Sequence, residues 1–265
     1  MGATKNLVLG GSGMIGTALC HFLKGKGESV TNLDLENGHD LRIMNLDEYS
    51  NHDFVWFLAW DVGGAKYLSD KSNQHSLMYN NIKICENVFS FLGKHQLPFL
   101  FSSSQLAAPD NSYGVTKLMA EHWTSLLGGY CVRFWNVYGW ETPGIKSHVI
   151  PDLIMQALTQ GKISLMTTGE EERQFIYMDD CVRQLDLIRS GSNKDVHLTN
   201  GEWIKIRTIA EMIGEKLQAA VSVGDTIGYS NKIDPHPSYR DFNWNTSLST
   251  GLDQLIEFAK NHIRK

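Results

Sequence analysis

The sequence predicts an α/β protein built on a doubly wound parallel sheet, with helices on both faces and a smaller C-terminal lobe. Two features of the sequence predict this class. Short apolar runs alternate with segments of helical periodicity through the first half of the chain. One of these runs, residues 54–59, is apolar at every position, which is typical of a strand buried on both faces. After residue 139 the alternation loosens, so we expect a lobe of different construction there.

The individual elements follow from apolar runs, helical spacing and turn residues. In the first half we predict strands at 6–9, 29–33, 54–59, 98–101 and 130–134, and helices at 14–22, 77–91 and 113–127. In the second half we predict helices at 148–158, 179–188, 206–217 and 252–262, and short strands at 163–166 and 175–177. The segment 234–245 contains Pro235 and Pro237 and is predicted to be a long surface or binding loop.

Composition and charge exclude several classes of function. A net charge of -5 gives no general attraction for nucleic acid or for an anionic membrane surface. No segment has the apolar length needed to cross a bilayer. The four cysteines have neither a CxxC pair nor metal-ligand spacing, so we expect reduced thiols and no metal. Because the first ten residues lack a signal-peptide pattern, a cytoplasmic location is expected.

A glycine pattern follows the first predicted strand and opens the first predicted helix. Gly10, Gly13 and Gly16 form GxxGxxG in this position. The first glycine permits a tight turn, the second lets the backbone approach a pyrophosphate, and the third lets helix and strand pack closely. The N-terminus of the helix would offer free N–H groups to the phosphates. The pattern predicts a Rossmann-like dinucleotide site, and the alternative is a turn that is tight for structural reasons only.

The end of the second predicted strand carries an acidic residue, Asp34. A carboxylate here can accept hydrogen bonds from the adenosine ribose and would repel a 2′-phosphate, which favours NAD over NADP. Alternatively, Asp34 simply begins a turn. Asp40 and Leu41 are candidates for contact with the adenine, although an exposed polar turn explains them nearly as well.

Three polar residues near the fourth strand and the following helix suggest proton-transfer chemistry. Tyr113 and Lys117 are four positions apart and therefore share one face of a helix. A tyrosine can exchange a proton with a carbonyl or hydroxyl group if its phenol pKa is lowered, and a neighbouring ammonium group lowers it. Ser104 ends the preceding strand and could bond the same substrate oxygen. A YxxxK spacing alone is common, so its weight comes from this context.

Taken together, these motifs resemble the extended short-chain dehydrogenase/reductases of the NAD-dependent epimerase/dehydratase family, which act on nucleotide sugars. The resemblance extends over essentially the whole chain. The resembling segments are GGSGMIG at 10–16, FLA at 57–59, NN at 80–81, SSS at 102–104, YGVTK at 113–117, RFWNVYG at 133–139 and RQFIYMDD at 173–180.

The resemblance implies roles for the residues in these motifs. Tyr113 would be the acid/base, Lys117 would hold the cofactor ribose and lower the tyrosine pKa, and Ser104 would position the sugar hydroxyl or ketone. Further cofactor contacts would come from residues near the glycine turn and the strand ends, namely Met14, Ile15, Leu58, Ala59, Asn81 and Ser102.

The resemblance also implies that one domain binds the cofactor and another binds the substrate. Residues 1–140, with a return at about 174–199, would bind NAD, and residues 141–173 and 200–265 would form the substrate lobe. Asn136 and Arg173 would contact the sugar nucleotide and Arg240 its phosphates, although either arginine could instead lie on the surface. Other substrate contacts would come from Gly63, Gly64, Gln105 and His148. Members of the family commonly form homodimers through the helices at 80–92 and 113–127, whose apolar residues lie on more than one face.

The residues after the serine narrow the reaction. Family 4,6-dehydratases carry an Asp-Glu pair there, but this chain has Gln105 and Leu106. A leucine cannot move a proton, so dehydration is not expected, and the glutamate of sugar-nucleotide decarboxylases is absent too. Segment 61–64 resembles GDP-fucose synthases and GDP-mannose 3,5-epimerases, and segment 147–151 resembles the part of the fucose synthases that carries an acid histidine, here His148. The cysteine base of those enzymes corresponds to Leu106.

Three functions therefore stay open. The first is redox chemistry at C4 of a nucleotide sugar, by a 4-epimerase or a 4-dehydrogenase/4-ketoreductase. The second is epimerisation next to a ketone with an unrecognised base, with His148 either as proton donor or as a helix-start residue that binds substrate or packs. The third is a non-catalytic NAD-binding protein of the same fold, against which the intact Ser104, Tyr113 and Lys117 argue.

Overall fold

The computed structural model describes residues 2–141, 146–230 and 245–263. Arg240 and nearly all of the predicted loop at 234–245 lie outside the described residues. The chain divides into two compact units. The first comprises the residues up to Val62, Tyr67–Phe134 and Cys181–Leu198, and the second comprises Gly63–Lys66, Trp135–Asp180 and the residues from Thr199 onward.

The strands and helices alternate along the described chain. The strands are β1 (Lys5–Leu9), β2 (Ser29–Leu33), β3 (Phe54–Phe57), β4 (Phe99–Ser104), β5 (Tyr130–Phe134), β6 (Asn136–Tyr138), β7 (Lys162–Ser164), β8 (Glu172–Tyr177), β9 (Asp195–Leu198), β10 (Trp203–Lys205) and β11 (Ala220–Ser222). The helices are α1 (Met14–Gly25), α2 (Ala65–Ser69), α3 (Gln74–His95), α4 (Ser112–Leu126), α5 (Val149–Gln160), α6 (Met178–Ser190), α7 (Ile206–Leu217) and α8 (Leu248–Ile263).

The first unit contains a parallel sheet with the strand order β2-β1-β3-β4-β5-β9. The chain order reverses between β1 and β3, and in such sheets ligands bind outside the carboxyl ends of the strands at the reversal. The strands β3 and β4 are buried along their whole length, as their apolar sequences predict. The predicted Rossmann-like α/β fold is therefore confirmed.

The core of the first unit is formed by side chains of the sheet and of α3. Leu7, Phe57 and Phe101 from the strands pack in one cluster with Val88 and Phe89 from the helix. Phe57 and Phe89 meet edge to face with ring centroids 5.4 Å apart, a geometry that aromatic rings favour. This packing fixes the strand ends at which the polar residues of the site lie.

The second unit has smaller sheets and a separate core. Strand β8 pairs in parallel with β6 and antiparallel with β10, while β7 pairs in parallel with β11. Apolar residues of α5, α7 and α8 form its core, including Ile154, Ile209, Ile213, Leu252 and Leu255. Among the described residues, no helix combines the length and the apolar character that a bilayer span requires.

The helices α3 and α4 expose several apolar side chains. Tyr79, Ile82, Val115 and Leu118 are all exposed. These are the two helices through which a homodimer is predicted, and self-association stays a prediction.

Candidate active site

The glycine turn between β1 and α1 is built by close backbone approaches. Gly10 has φ +89°, and a Cβ atom there would lie 2.5 Å from the backbone nitrogen of Ala59. A Cβ atom on Gly16 would overlap the carbonyl oxygen of Gly10. Gly13, at the N-cap of α1, has no such neighbour, since the nearest atom would be 3.7 Å away. Packing therefore requires the outer two glycines, while the middle one leaves the start of the helix open.

The start of α1 suits an anion. The N-cap, Gly13, has no side chain to bond the free N–H groups, and the first turn contains no acidic residue. These N–H groups and the positive end of the helix dipole can bind a pyrophosphate. Met14 and Ile15 are the first residues of the helix. The open N–H groups at this turn fit the phosphates of a dinucleotide.

Asp34 begins a turn, one of the two roles that the sequence leaves open, while its contact with a ribose stays a prediction. Its Oδ2 accepts a hydrogen bond from the backbone nitrogen of Ser12 at 3.0 Å, which ties the end of β2 to the glycine turn. Its Oδ1 accepts from Glu36 N at 3.0 Å and caps a short 3-10 helix. The carboxylate is therefore beside the phosphate turn and also begins a turn of its own.

The residues after β2 and β3 mostly hold the loops in place. Leu41 is buried in the core, and Asp40 forms an ion pair with Arg42 at 2.7 Å. Asn81 uses both ends of its side-chain amide on the backbone of Asp61, accepting at 2.7 Å and donating at 3.1 Å. These contacts give the residues a structural role, and their contact with a cofactor stays a prediction.

The turn after β3 is locked against β1. The backbone nitrogens of Leu58 and Ala59 both donate to the carbonyl oxygen of Leu9, at 2.9 and 2.8 Å. Because Ala59 also limits the space at Gly10, the glycine turn and the end of β3 hold each other at one edge of the sheet.

Ser104, Tyr113 and Lys117 come together at the end of β4 and the start of α4. The side chains of Ser104 and Tyr113 are joined by a hydrogen bond, and all three residues are buried. The close approach at Gly114, where a Cβ atom would overlap the carbonyl oxygen of Ala108, lets the loop after β4 pack on the start of the helix. The structure thus assembles the predicted catalytic residues within the first unit.

Burial is the main cause of the pKa shifts of Tyr113 and Lys117. Burial raises the pKa of Tyr113 to about 12, although the hydrogen bond with Ser104 lowers it in part. Burial also lowers the pKa of Lys117 to about 7. The ammonium group donates to the carbonyl oxygen of Ser102 and lies 5.7 Å from the centroid of the Tyr113 ring. From the sequence we expect a lowered tyrosine pKa; the structure differs because loss of solvent outweighs the hydrogen bond with Ser104.

The position expected for a second base holds no titratable group. Leu106 is 48% exposed, and its backbone nitrogen donates to Ser104 Oγ at 3.0 Å. Gln105 is held by a backbone bond to Phe134 O at 2.9 Å. All four cysteines are buried, and burial raises the pKa of Cys85 and of Cys131 to about 12. Neither Cys85 nor Cys131 is therefore a thiolate at neutral pH.

His148 of the second unit is paired with a carboxylate that the motifs do not predict. Its Nδ1 lies 2.9 Å from Glu141 Oε2, and its backbone nitrogen donates to the same side chain. Burial alone would lower the pKa of His148, but the hydrogen bond and charge of Glu141 raise it above the usual value. An acidic residue seven positions before the histidine is the only sequence signal for this pair.

Gly64 allows the chain to approach the segment before His148. Its backbone nitrogen donates to Lys146 O at 2.9 Å, and a Cβ atom there would overlap the carbonyl oxygen of Ser147. The neighbouring Gly63 is buried. This pair of glycines has a clear packing role, and its contact with substrate stays a prediction.

The other residues predicted to bind substrate are held by backbone groups of the second unit. Asn136 Nδ2 donates to Gln174 O at 3.0 Å. The guanidinium of Arg173 donates to the carbonyl oxygens of Glu172 and Tyr229, each at 2.7 Å. Within the described part of the chain no carboxylate forms an ion pair with Arg173, although the charge of Glu171 acts on it. The contact of Arg173 with an anionic ligand stays a prediction.

Comparison with known proteins places these features in a family. The chain is 29% identical over 203 residues to UDP-2-acetamido-2,6-beta-L-arabino-hexul-4-ose reductase of Pseudomonas aeruginosa, covering 71% of this chain and 50% of that protein. It thus spans half the length of that relative.

Two solved structures share the fold. An epimerase of Methanothermobacter thermautotrophicus superposes with a TM-score of 0.86 at 21% identity, over 99% of this chain and 94% of that one. UDP-glucose 4-epimerase of Thermotoga maritima superposes with a TM-score of 0.85 at 20% identity, over 98% of this chain and 100% of that one.

The family model of the NAD-dependent epimerases and dehydratases matches residues 6–198. The match begins in β1 and ends with β9, so it covers the glycine turn, the Ser104 region and the tyrosine helix together. It confirms the predicted resemblance, the enzyme class and the NAD-type cofactor. This chain is therefore a member of the NAD-dependent epimerase/dehydratase family.

Proposed function

We propose that this protein carries out redox chemistry at C4 of a nucleotide sugar, as a 4-epimerase or a 4-dehydrogenase/4-ketoreductase. The observation that carries the proposal is the buried arrangement of Ser104, Tyr113 and Lys117 at the carboxyl edge of the sheet that also bears the glycine turn. A proton-transfer group next to a dinucleotide site is what hydride transfer at a carbon bearing oxygen requires.

The cofactor would be held by groups of the first unit. The N–H groups at the start of α1 would bind the pyrophosphate, and Asp34 would bind the ribose hydroxyls and repel a 2′-phosphate, so NAD is preferred to NADP. When bound, NAD supplies the hydride acceptor for oxidation, or the hydride donor in its reduced form.

The chain's own residues would move the proton. In oxidation the phenolate oxygen of Tyr113 would take the proton of the C4 hydroxyl as the hydride leaves C4, and in reduction the phenol would return that proton to the C4 oxygen. Ser104 holds the same oxygen by a hydrogen bond. Because the pKa of Tyr113 is raised to about 12, the phenol is protonated at neutral pH and is suited to donate.

The sugar nucleotide would be bound by residues of the second unit. Arg173 offers a planar set of donors that matches a diphosphate, and it forms no ion pair within the described residues. Asn136 and His148 would contact the sugar, with Arg240 as a further candidate. The Pseudomonas reductase and the Thermotoga 4-epimerase both have names that point to chemistry at C4, which supports the choice of this carbon.

A second candidate function has one observation in its favour. The pairing of His148 with Glu141 keeps the imidazole charged to a higher pH, so it could donate a proton during epimerisation next to a ketone. Leu106 at the position of the partner base argues against this reaction, because it leaves the proton abstraction without a group.

The test combines identification of the substrate with a label experiment. We would purify the protein, identify copurifying nucleotides by mass spectrometry, and follow NADH absorbance with a panel of UDP-, dTDP- and GDP-linked sugars. In heavy water, redox at C4 alone leaves the hydrogens at C3 and C5 unlabelled. Deuterium at C3 or C5 would favour the second candidate, and the absence of any reaction across the panel would favour a non-catalytic NAD-binding protein.

A further inference from the structure

Lys117 is buried without a carboxylate partner. Its side chain is 3% exposed, and within the described residues no carboxylate forms an ion pair with it. The charge of Glu121, one turn further along α4, acts on Lys117 without an ion pair, but this carboxylate is itself engaged by Arg133 at 2.7 Å and by Ser103. The thiols of Cys85 and Cys131 interact with Lys117, but burial raises the pKa of each thiol to about 12, so they are neutral at physiological pH. Something else must offset the loss of solvent around the ammonium group.

Two aromatic faces and one carbonyl group surround the ammonium. Lys117 Nζ lies 4.1 Å from the centroid of the Trp60 ring and 4.8 Å from that of Phe101. It also donates to the carbonyl oxygen of Ser102. A cation over an indole face is the strongest form of cation–π contact, and it gains strength where solvent is excluded. Trp60 is therefore the neighbour best placed to stabilise the charged form.

The Trp60 ring is held in this position by packing. It meets Phe101 nearly edge to face at 5.4 Å and Phe57 at 6.1 Å. Its buried Nε1 has no hydrogen-bond partner within the described part of the chain, so no hydrogen bond determines the orientation of the ring. The residue directly before it, Ala59, is locked against the glycine turn. The indole is thus fixed relative to both the phosphate turn and the lysine.

We propose that Trp60 is a positioning residue that keeps Lys117 charged and directed at the strand end beside Tyr113. This inference rests on the proposed function for its consequence, because a charged Lys117 is what would hold the cofactor ribose and favour the tyrosinate. The stabilisation itself is a property of the protein alone. Loss of the indole face therefore lowers the pH at which Lys117 loses its proton.

The titration of Lys117 can be measured without any substrate. We would label the protein isotopically at lysine Cε and follow the signal of Lys117 by NMR as a function of pH, assigning it by its loss in Lys117→Met. In Trp60→Leu we expect the titration midpoint to fall by about 0.5 to 1.5 pH units, the range that a cation–π contact supports. In Trp60→Phe, which keeps an aromatic face and is the safer variant for folding, we expect a smaller fall in the same direction.

Trp123→Phe is the matched control. This tryptophan stacks on Phe89 in the same unit, at 5.3 Å between ring centroids, and is not among the rings that contact Lys117, so the midpoint should be unchanged. Midpoints that are equal in the unmodified protein, Trp60→Phe and Trp60→Leu would overturn the proposal, as would a rise in either variant. Since the measurement uses neither NAD nor a sugar, a failure of the proposed enzymatic function would leave the titration result intact, and the two can be told apart.

Discussion

The first unit buries a basic side chain near each end of its sheet. The one near the amino ends of the strands is paired with carboxylates, and the one at the carboxyl ends is not. Near the amino ends of β1 and β2, Arg189 forms ion pairs with Glu28 at 2.5 Å and Asp186 at 2.7 Å, and also bonds Asn6. At the carboxyl ends, Lys117 contacts aromatic faces and a carbonyl group instead. One cation is neutralised by carboxylates, and the other is not.

The titration of the two regions reflects this difference. The hydrogen bond from Arg189 lowers the pKa of Glu28, and the net effect of Glu28 and Asp186 raises the pKa of Arg189 despite its burial. Burial lowers the pKa of Lys117 to about 7. Paired charges at one end stabilise their own ionised forms, whereas the ionised lysine at the other end costs stability. A buried charge that the fold does not neutralise marks a functional site.

The largest effect is expected from removing one oxygen at the carboxyl end. Tyr113→Phe keeps the ring and its packing, so the protein should fold and bind NAD while hydride transfer falls by about 10²- to 10⁴-fold, the usual contribution of general acid–base catalysis. The measurement is the single-turnover rate of NADH formation or consumption with the identified sugar nucleotide. Tyr130→Phe, which removes a hydroxyl bonded to Gly191 O at 3.0 Å in the same unit, is the control and should keep its rate. Undiminished transfer in Tyr113→Phe would refute the assigned proton donor.

The next effect is expected at the amino end, on stability. Glu28→Gln leaves Arg189 with a weaker partner in a mostly buried cluster, and we expect a loss of about 1 to 3 kcal/mol in the free energy of unfolding. Because the pKa of Glu28 is lowered from 4.5, its contribution is present above pH 4.5 and is lost as the pH falls through the folded value. The variant should therefore lose less stability than the unmodified protein in that acidic window.

Urea unfolding at neutral and acidic pH measures this difference. Glu86→Gln is the control, because its partner Lys83 and the glutamate are both largely exposed, and it should change stability by less than about 0.5 kcal/mol. Equal losses in Glu28→Gln and Glu86→Gln would mean that the amino-end cluster is an ordinary surface network.

The sequence predicts the buried central strands better than the edge strand β9 or the shortest strands. The strands at 54–57 and 99–104 are recognisable because a strand buried on both faces leaves an unbroken apolar run. Strand β9 at the edge of the sheet escapes recognition, since exposed Asp195 and half-buried His197 interrupt its apolar positions. The three-residue strands β6, β10 and β11 are too short for a period to show.

Site residues can be predicted where they belong to a sequence motif. They cannot be predicted where their role depends on neighbours that only the folded structure brings together. The glycine turn and the Ser104, Tyr113 and Lys117 set follow from spacing and context. The indole over Lys117 and the raised tyrosine pKa do not, because burial and ring positions depend on how β3, β4 and α4 pack. The partner of His148 is missed for the same reason, since only the three-dimensional structure places Glu141 beside it.

A smaller effect on stability is expected at the carboxyl end, with the opposite sign. Between pH 7 and 10.5 the unfolded chain binds a proton at Lys117 that the folded protein has lost, so the stability of the unmodified protein rises with pH there. Lys117→Met removes the buried charge and this dependence. Allowing for the carbonyl of Ser102 left without its donor, we expect a gain of about 1 to 2 kcal/mol near neutral pH, together with loss of activity. A destabilised Lys117→Met at neutral pH would mean that the lysine is held as favourably as Arg189.

The smallest effect concerns the choice of cofactor at the same carboxyl edge, where Asp34 lies beside the glycine turn. The carboxylate bonds the backbone nitrogens of Ser12 and Glu36 and is predicted to repel a 2′-phosphate, so a change to alanine would mix an electrostatic effect with loss of a cap. Asp34→Asn keeps an acceptor for one of these bonds while removing the charge, and adding Leu35→Arg, at an exposed position, supplies a partner for the phosphate. We expect the preference for NAD over NADP to shrink by about tenfold in the double variant, which corresponds to about 1.4 kcal/mol.

Calorimetric titration of both nucleotides against the unmodified protein, the double variant and Leu35→Arg alone separates the contribution of the lost carboxylate from that of the added arginine. Tighter binding of NADP than of NAD by the unmodified protein would show that Asp34 serves only the turn.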